Sequence, residues 1–171
     1  MKIIWTIGHS THSFEEFAFI LKSLNIECVA DIRSFPGSRK YPHFNKESLE
    51  VTLPGKNIEY IHLPGLGGRR KVSPDSKNTN WYHPAFRGYA DYMETDSFKT
   101  AVNELENLAI HKRTAYMCAE AVWWRCHRSL VSDWLKLNGW IVLHISGAGK
   151  IREHTFTSAS SIINGRLIYS P

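Results

Sequence analysis

The side chains best able to do chemistry gather in one short segment, Cys118-Ala119-Glu120-Ala121-Val122-Trp123-Trp124-Arg125-Cys126-His127-Arg128. A thiolate is a strong nucleophile, and it forms most readily beside a cation or a helix N-terminus. The spacing predicts that Cys126-His127-Arg128 makes the first turn of a helix. The unpaired backbone N–H groups and positive dipole end of that turn also suit an anion. Cys126 is thus a candidate nucleophile, with Cys118 as a second. Glu120 is a candidate general acid or base. His127 and Arg128 are candidate anion-binding groups, Arg128 as a charge-assisted clamp. The alternative is structural: both thiols are small buried residues and Arg128 pairs with a carboxylate.

Further groups of this kind stand where other strands are expected to end. Asp31 and Arg33 could be a base and a phosphate clamp, or a salt bridge that holds a loop; Ser38 and Arg39 follow them. Gly8-His9-Ser10 could cradle an oxyanion through backbone N–H groups and hydroxyls, or His9 could be a hydrogen-bonded histidine at the core edge. Gly67, Gly68 and Arg69 make a charged, glycine-rich loop, and His144 closes a last strand. No C-x-x-C or H-E-x-x-H spacing occurs, so no metal site is expected, and no cofactor is assigned. A tight phosphate cradle of the phosphatase or rhodanese type fits poorly, because Trp123 and Trp124 stand between Cys118 and Arg125.

Bulk properties narrow the partners. A net charge of +5, with nine histidines besides, suits an anionic ligand that is small and phosphate-bearing or nucleotide-like. Nucleic acid is the alternative, with Trp81, Tyr82, Trp123 and Trp124 available to stack on bases. Three cysteines without a secretion signal in MKIIWTIGHS argue for reduced thiols and a cytoplasmic location. No apolar run approaches the ~18 residues of a membrane span, so no membrane partner is expected. Nothing in the sequence assigns an oligomeric state.

These residues need elements to position them. Apolar runs at Ile3–Ile7, Cys28–Ile32, Ile58–His62, Ala115–Cys118 and Ile141–Ile145 read as buried strands. Helical spacing predicts helices from Phe14 (Ser13 and Glu16 forming a capping box), over Lys46–Leu53, from Pro84, over Ser97–Ile110 and over His127–Asn138 with Gly139 as C-cap. Pro64 to Asn80 reads as a long loop of the functional or mobile kind. Ile162–Ile168 reads as a small hairpin around Asn164-Gly165. The pattern implies a single three-layer α/β domain over residues 1–171, with a mainly parallel sheet of about five strands and helices on both faces. In such sheets ligands bind beyond the carboxyl ends of the strands, where the candidate residues fall.

Several of these segments, taken in order, resemble the domain-of-unknown-function family numbered 488. The resemblance rests on Thr6-Ile7-Gly8-His9-Ser10, Asp31-Ile32-Arg33 with Pro36, Ser38 and Arg39, Leu66-Gly67-Gly68, Cys118-Ala119-Glu120, Cys126-His127-Arg128, His144-Ile145, and Gly165 with Leu167 and Tyr169. It implies an α/β fold and an enzyme-like site at those polar positions, and supplies no reaction. Trp123-Trp124 departs from the smaller or more polar residues expected there. The combined expectation is a hydrolase or transferase with acid/base or cysteine chemistry on a phosphate-bearing substrate. The alternative is a non-catalytic nucleic-acid-binding or regulatory module.

Overall fold

The apolar runs pair edge to edge before any helix matters to the topology. In the computed structural model, which describes residues 1–171, β1 (Ile3–Gly8), β2 (Cys28–Asp31), β3 (Glu59–His62), β4 (Thr114–Cys118) and β5 (Ile141–Gly147) form a parallel sheet in the order β3-β2-β4-β1-β5. A further strand, β6 (Lys150–Glu153), lies antiparallel on β5. Its Lys-Ile-Arg-Glu sequence is exposed throughout and carries no apolar alternation, which is why it leaves no strand signal. The tail hairpin forms apart from the main sheet from β7 (Ser161–Ile163) and β8 (Arg166–Ile168). Asn164 and Gly165 both take positive φ, 51° and 72°, as a two-residue primed turn requires.

Five helices cover the sheet. The first, α1 (Phe14–Ser23), starts at Ser13, whose hydroxyl accepts from the Glu16 N–H; α2 (Lys46–Thr52) follows β2. Pro84 opens α3 (Pro84–Met93), and Thr95 caps α4 (Asp96–His111) by accepting from the Phe98 N–H. The last helix, α5 (Arg128–Leu137), begins one residue later than its apolar spacing predicts. Its C-cap is Asn138 rather than Gly139, which lies one position beyond.

Strand order dictates which helices go where. The steps from β1 to β2 and from β2 to β3 run one way along the sheet; those from β3 to β4 and from β4 to β5 run the other way. Right-handed crossovers therefore place α1 and α2 on one face and α3, α4 and α5 on the opposite face. Alternation along β1 and β4 serves both layers. Trp5, Ile7, Ala115 and Met117 pack with Phe17, Leu21 and Leu49, while Ile4 and Tyr116 pack with Val102, Leu130 and Leu135. Truncating a fully buried residue such as Leu130 to Ala would cost about 2–5 kcal/mol.

The segment from Pro64 to Asn80 holds one short 3-10 turn, Pro64–Leu66, and otherwise no helix or strand. It is nevertheless pinned. Buried Asp91 on α3 accepts from the Ser73 N–H, the Ser76 hydroxyl and the Asn78 amide, and the Tyr89 and Tyr92 hydroxyls donate to Leu66 and Gly65 carbonyls. No helix is long and apolar enough to cross a membrane.

Candidate functional site

Beyond β2 and β4, neighbouring strands whose following helices lie on opposite faces, the chain opens into a cleft of about 570 Å³. Divergence of two loops at adjacent strand ends is what creates a ligand crevice in an open α/β sheet. Arg33, Gly68, Arg69, Cys118, Glu120, Cys126 and His127 all line it, so residues far apart in sequence meet as expected. Phe35, Phe86 and Trp124 supply apolar walls, and Arg125 adds a cation.

The two thiols are the closest functional contact in the cleft. Cys118 is the last residue of β4, opposite Gly8 of β1. The His9 and Ser10 N–H groups donate to the Cys118 and Ala119 carbonyls, carrying the β1–β4 pairing past the strand ends. A Cβ at Gly8 would collide with the Glu120 carbonyl, so only glycine permits this approach. A single 3-10 turn, Trp123–Arg125, then brings Cys126 back, and the two sulfurs stand 3.0 Å apart.

Arg128 determines the state of that pair. Its side chain is buried, and its guanidinium donates through Nε to Cys118 Sγ (3.0 Å) and Cys126 Sγ (3.4 Å). Nη1 donates to Thr6 Oγ1 (3.0 Å) and Nη2 to the Glu120 carbonyl (2.6 Å). No carboxylate touches it. A buried cation needs a counter-charge, and among the hydrogen-bond partners of the guanidinium only the sulfurs can ionise. Burial alone would raise the Cys126 pKa. The Cys118 hydrogen bond, the Arg128 charge and the Arg128 N–H together outweigh it and bring Cys126 well below the ordinary thiol range. Cys118 moves the other way, well above the ordinary thiol range, through burial and the neighbouring Cys126 charge. The anion at the start of α5 is thus the protein's own thiolate. Arg128, expected as a clamp for an external ligand, faces inward instead, because its helical position points it at Thr6 and the sulfurs.

Behind Arg128 runs a chain of buried hydrogen bonds. Asp133, one turn further along α5, accepts from His154 Nε2 (2.8 Å), the Thr157 N–H and hydroxyl, and the Tyr169 hydroxyl. Since a carboxylate only accepts, His154 donates to it through Nε2, and its Nδ1 is hydrogen-bonded to His144 Nε2 (2.9 Å). His144 Nδ1 is hydrogen-bonded to Thr6 Oγ1 (2.7 Å), which accepts from Arg128. The guanidinium and Asp133 are thus joined through Thr6 and two imidazoles. Burial, with the Arg128 charge nearby, lowers the His144 pKa to about 2, so this ring stays neutral. Trp123 stacks flat on it, 4.3 Å between centroids and 2° between planes. His144, expected to bind an anion, lies under that indole and does not line the cleft; it supports Arg128 through Thr6.

Asp31 and Arg33 form a closed pair. Asp31 is fully buried and accepts from Arg33 Nε (2.9 Å), Nη2 (2.8 Å) and backbone N–H, and from the Tyr60 hydroxyl (2.5 Å). With both oxygens engaged and none reaching the cleft, Asp31 holds the loop instead of serving as a catalytic base. Arg33 also donates to the Phe44 carbonyl and to His9 Nε2, leaving one edge on the cleft. His9, buried and stacked on Phe44, is lowered to about 4 by burial and by Arg33. The His9 and Ser10 N–H groups are bonded to the Cys118 and Ala119 carbonyls, so they form no oxyanion cradle.

Ser38 and Arg39 lie away from the cleft. The Ser38 hydroxyl accepts from the Lys40 and Tyr41 N–H groups, and Arg39 is exposed. Gly67 packs against Ser34, while Gly68 sits beside His127. His127 donates through Nε2 to the Ile32 carbonyl (2.8 Å), and burial lowers its pKa, leaving Nδ1 as the unprotonated nitrogen. Arg69 is exposed, its guanidinium 5.3 Å over the Phe35 ring. Sequence reasoning missed Thr6, Asp133, His154 and Tyr169 in the support of Arg128. Thr6 and Tyr169 stood among the segments that resemble the family, Asp133 was a carboxylate three residues after Leu130 on the buried side of an amphipathic helix, and nothing marked His154.

A family model described as Domain of unknown function DUF488 matches residues 13–135, a span that takes in both site cysteines, Arg128 and Asp133. No curated protein and no solved structure matches the chain. This chain belongs to the DUF488 family.

Proposed function

We propose that this member of the family is an enzyme in which the Cys126 thiolate is the nucleophile, acting on a phosphate-bearing or nucleotide-like substrate as a hydrolase or transferase. The observation that carries the reading is the buried guanidinium of Arg128, which touches two sulfurs and no carboxylate. That arrangement keeps a thiolate ready at neutral pH at the wall of a cleft. Arg33, Arg69 and Arg125 offer the positive charge that would meet an anionic substrate. Phe35, Phe86 and Trp124 would flank its apolar part. Glu120, exposed in the same cleft, is placed to move a proton to a leaving group or from a water.

The test is a thermal-shift panel of phosphate, sulfate, nucleotides and nucleosides, followed by turnover assays on whichever class binds. A ligand at ~100 times its Kd adds about 2.7 kcal/mol, or roughly 5–10 °C for a chain of this size. The shift should vanish in Arg69→Ala/Arg125→Ala, and turnover should vanish in Cys126→Ser. An absent shift with every anion sinks the reading.

A second reading has its own support: Phe35, Tyr82 and Trp124 are exposed aromatics, and Arg69 lies over Phe35. Such a surface suits stacking on single-stranded nucleic acid by a non-catalytic module. It calls for oligonucleotide affinity that falls steeply with salt and is indifferent to Cys126→Ser.

A further inference from the structure

We infer that Cys118 and Cys126 are a reversible redox couple, which a hydroperoxide entering the cleft converts to an intramolecular disulfide. Two sulfurs 3.0 Å apart need to close by only about 1 Å to reach bonding distance. The strand end carrying Cys118 is fixed by its pairing with β1, so the movement falls to the short turn carrying Cys126. The division of labour is set by position. Cys126 is the more exposed of the two and carries the thiolate; Cys118 is buried behind it as a protonated thiol. The third cysteine, Cys28, is fully buried in β2, its thiol pushed up to about 11 by burial, and takes no part.

The chemistry balances in two steps. The Cys126 thiolate attacks the terminal oxygen of the hydroperoxide; the O–O bond breaks, Cys126 becomes a sulfenic acid, and the alkoxide leaves as alcohol by taking from solvent the proton that the thiol had released. Cys118 then attacks the Cys126 sulfur, water leaves, and the disulfide forms. Two thiols and one hydroperoxide give one disulfide, one alcohol and one water. A thiol reductant reverses the change by exchange, giving its own disulfide.

Arg128 makes the disulfide easy to reduce. In the dithiol state its guanidinium has an anionic sulfur against it. In the disulfide neither sulfur is charged, and the buried cation loses its only anionic neighbour. The reduced form is favoured by that difference, which is the condition for an oxidising, labile bond. Resting on the functional reading above, one further consequence is that oxidation silences the nucleophile until a thiol restores it.

The test is hydrogen peroxide added stoichiometrically to the intact chain, with no substrate present. Thiol titration should fall from three free cysteines to one, the mass should drop by two hydrogens, and peptide mapping should join 118 to 126. Excess reductant should restore all three thiols. In Cys118→Ser, which is close to isosteric, the sulfenic acid at Cys126 should persist and be trapped by dimedone. Three thiols surviving peroxide, a linkage through Cys28, or direct addition of two oxygens to Cys126 with Cys118 still free would each overturn the inference. Because the readout is mass and thiol count, it fails or succeeds independently of whether any phosphate-bearing substrate is turned over.

Discussion

Arg33 and Arg128 leave the neighbourhood of adjacent strand ends, and both are drawn inside the protein, yet they are partnered in opposite ways. Arg33, with its side chain 11% exposed, has a carboxylate across two hydrogen bonds, and that carboxylate is saturated by Tyr60 and a backbone N–H. Arg128, at 1%, has sulfur, a hydroxyl and carbonyls. An arginine that already owns a carboxylate is electrically complete and holds a loop in place. One without a carboxylate takes its counter-charge from whichever neighbour can ionise, and here that neighbour is a nucleophile. The reactive half of the site is therefore the half where the acid is missing.

The largest way to break this comparison is to replace each arginine by an apolar residue of similar length. Arg33→Met strands the buried Asp31 charge and should cost about 3–5 kcal/mol. Arg128→Met strands only a thiolate, which can take up a proton at pH 7, so its cost should fall well below that of Arg33→Met. Urea melts of the two variants at equal m-value check the difference; equal losses would erase the distinction.

Next in size is the effect of acid. His9 and His144 have native pKa values lowered to about 4 and about 2, against 6.5 in the unfolded chain. Below 6.5 the unfolded state therefore binds protons that the native state does not, so stability is full above that pH and falls beneath it. Two such groups give about 2–3 kcal/mol over the first unit below 6.5. Chemical denaturation at pH 7.5, 6.5 and 5.5 should show about three-quarters of the loss in the last interval.

Thr6→Val keeps the shape of the side chain but leaves Arg128 Nη1 without its acceptor, and should cost about 1–3 kcal/mol. A smaller loss would mean that the chain from Arg128 to Asp133 is looser than its distances imply. Finally, the rate of Cys126 alkylation against pH should titrate well below the ordinary thiol range in the native chain. In Arg128→Met the midpoint should move towards the ordinary thiol range, lowering the rate at pH 6 by about tenfold or more.

Much of the frame could be read from sequence because each βα unit announces itself locally. Apolar runs such as Ile3–Ile7 and Cys28–Ile32 can only be buried strands once turn residues bound them, and the gathering of polar groups at their exits follows from parallel topology. Side-chain direction was not legible in the same way. Cys126 and Arg128 were visible as reactive residues, but the inward turn of the guanidinium depends on Thr6, which stands 122 positions away. Their contact with Cys118 depends on an irregular turn that has no periodicity to detect. Asp133, His154 and Tyr169 meet through separations of 21 and 36 residues. The pair Trp123-Trp124 divides its work: Trp124 stands exposed at the cleft, and Trp123 packs on His144.

The placement of β1 bears on how the protein comes into being. Strand β1 sits in the sheet between β4 and β5, whose residues begin at Thr114 and Ile141, far later in the chain. At ~5–20 residues per second, a nascent chain carries Ile-Ile-Trp-Thr-Ile unpaired for about 5–20 s before its first neighbour is made. That interval leaves a sticky ribbon bare on the ribosome until the chain's own later strands arrive to cover it.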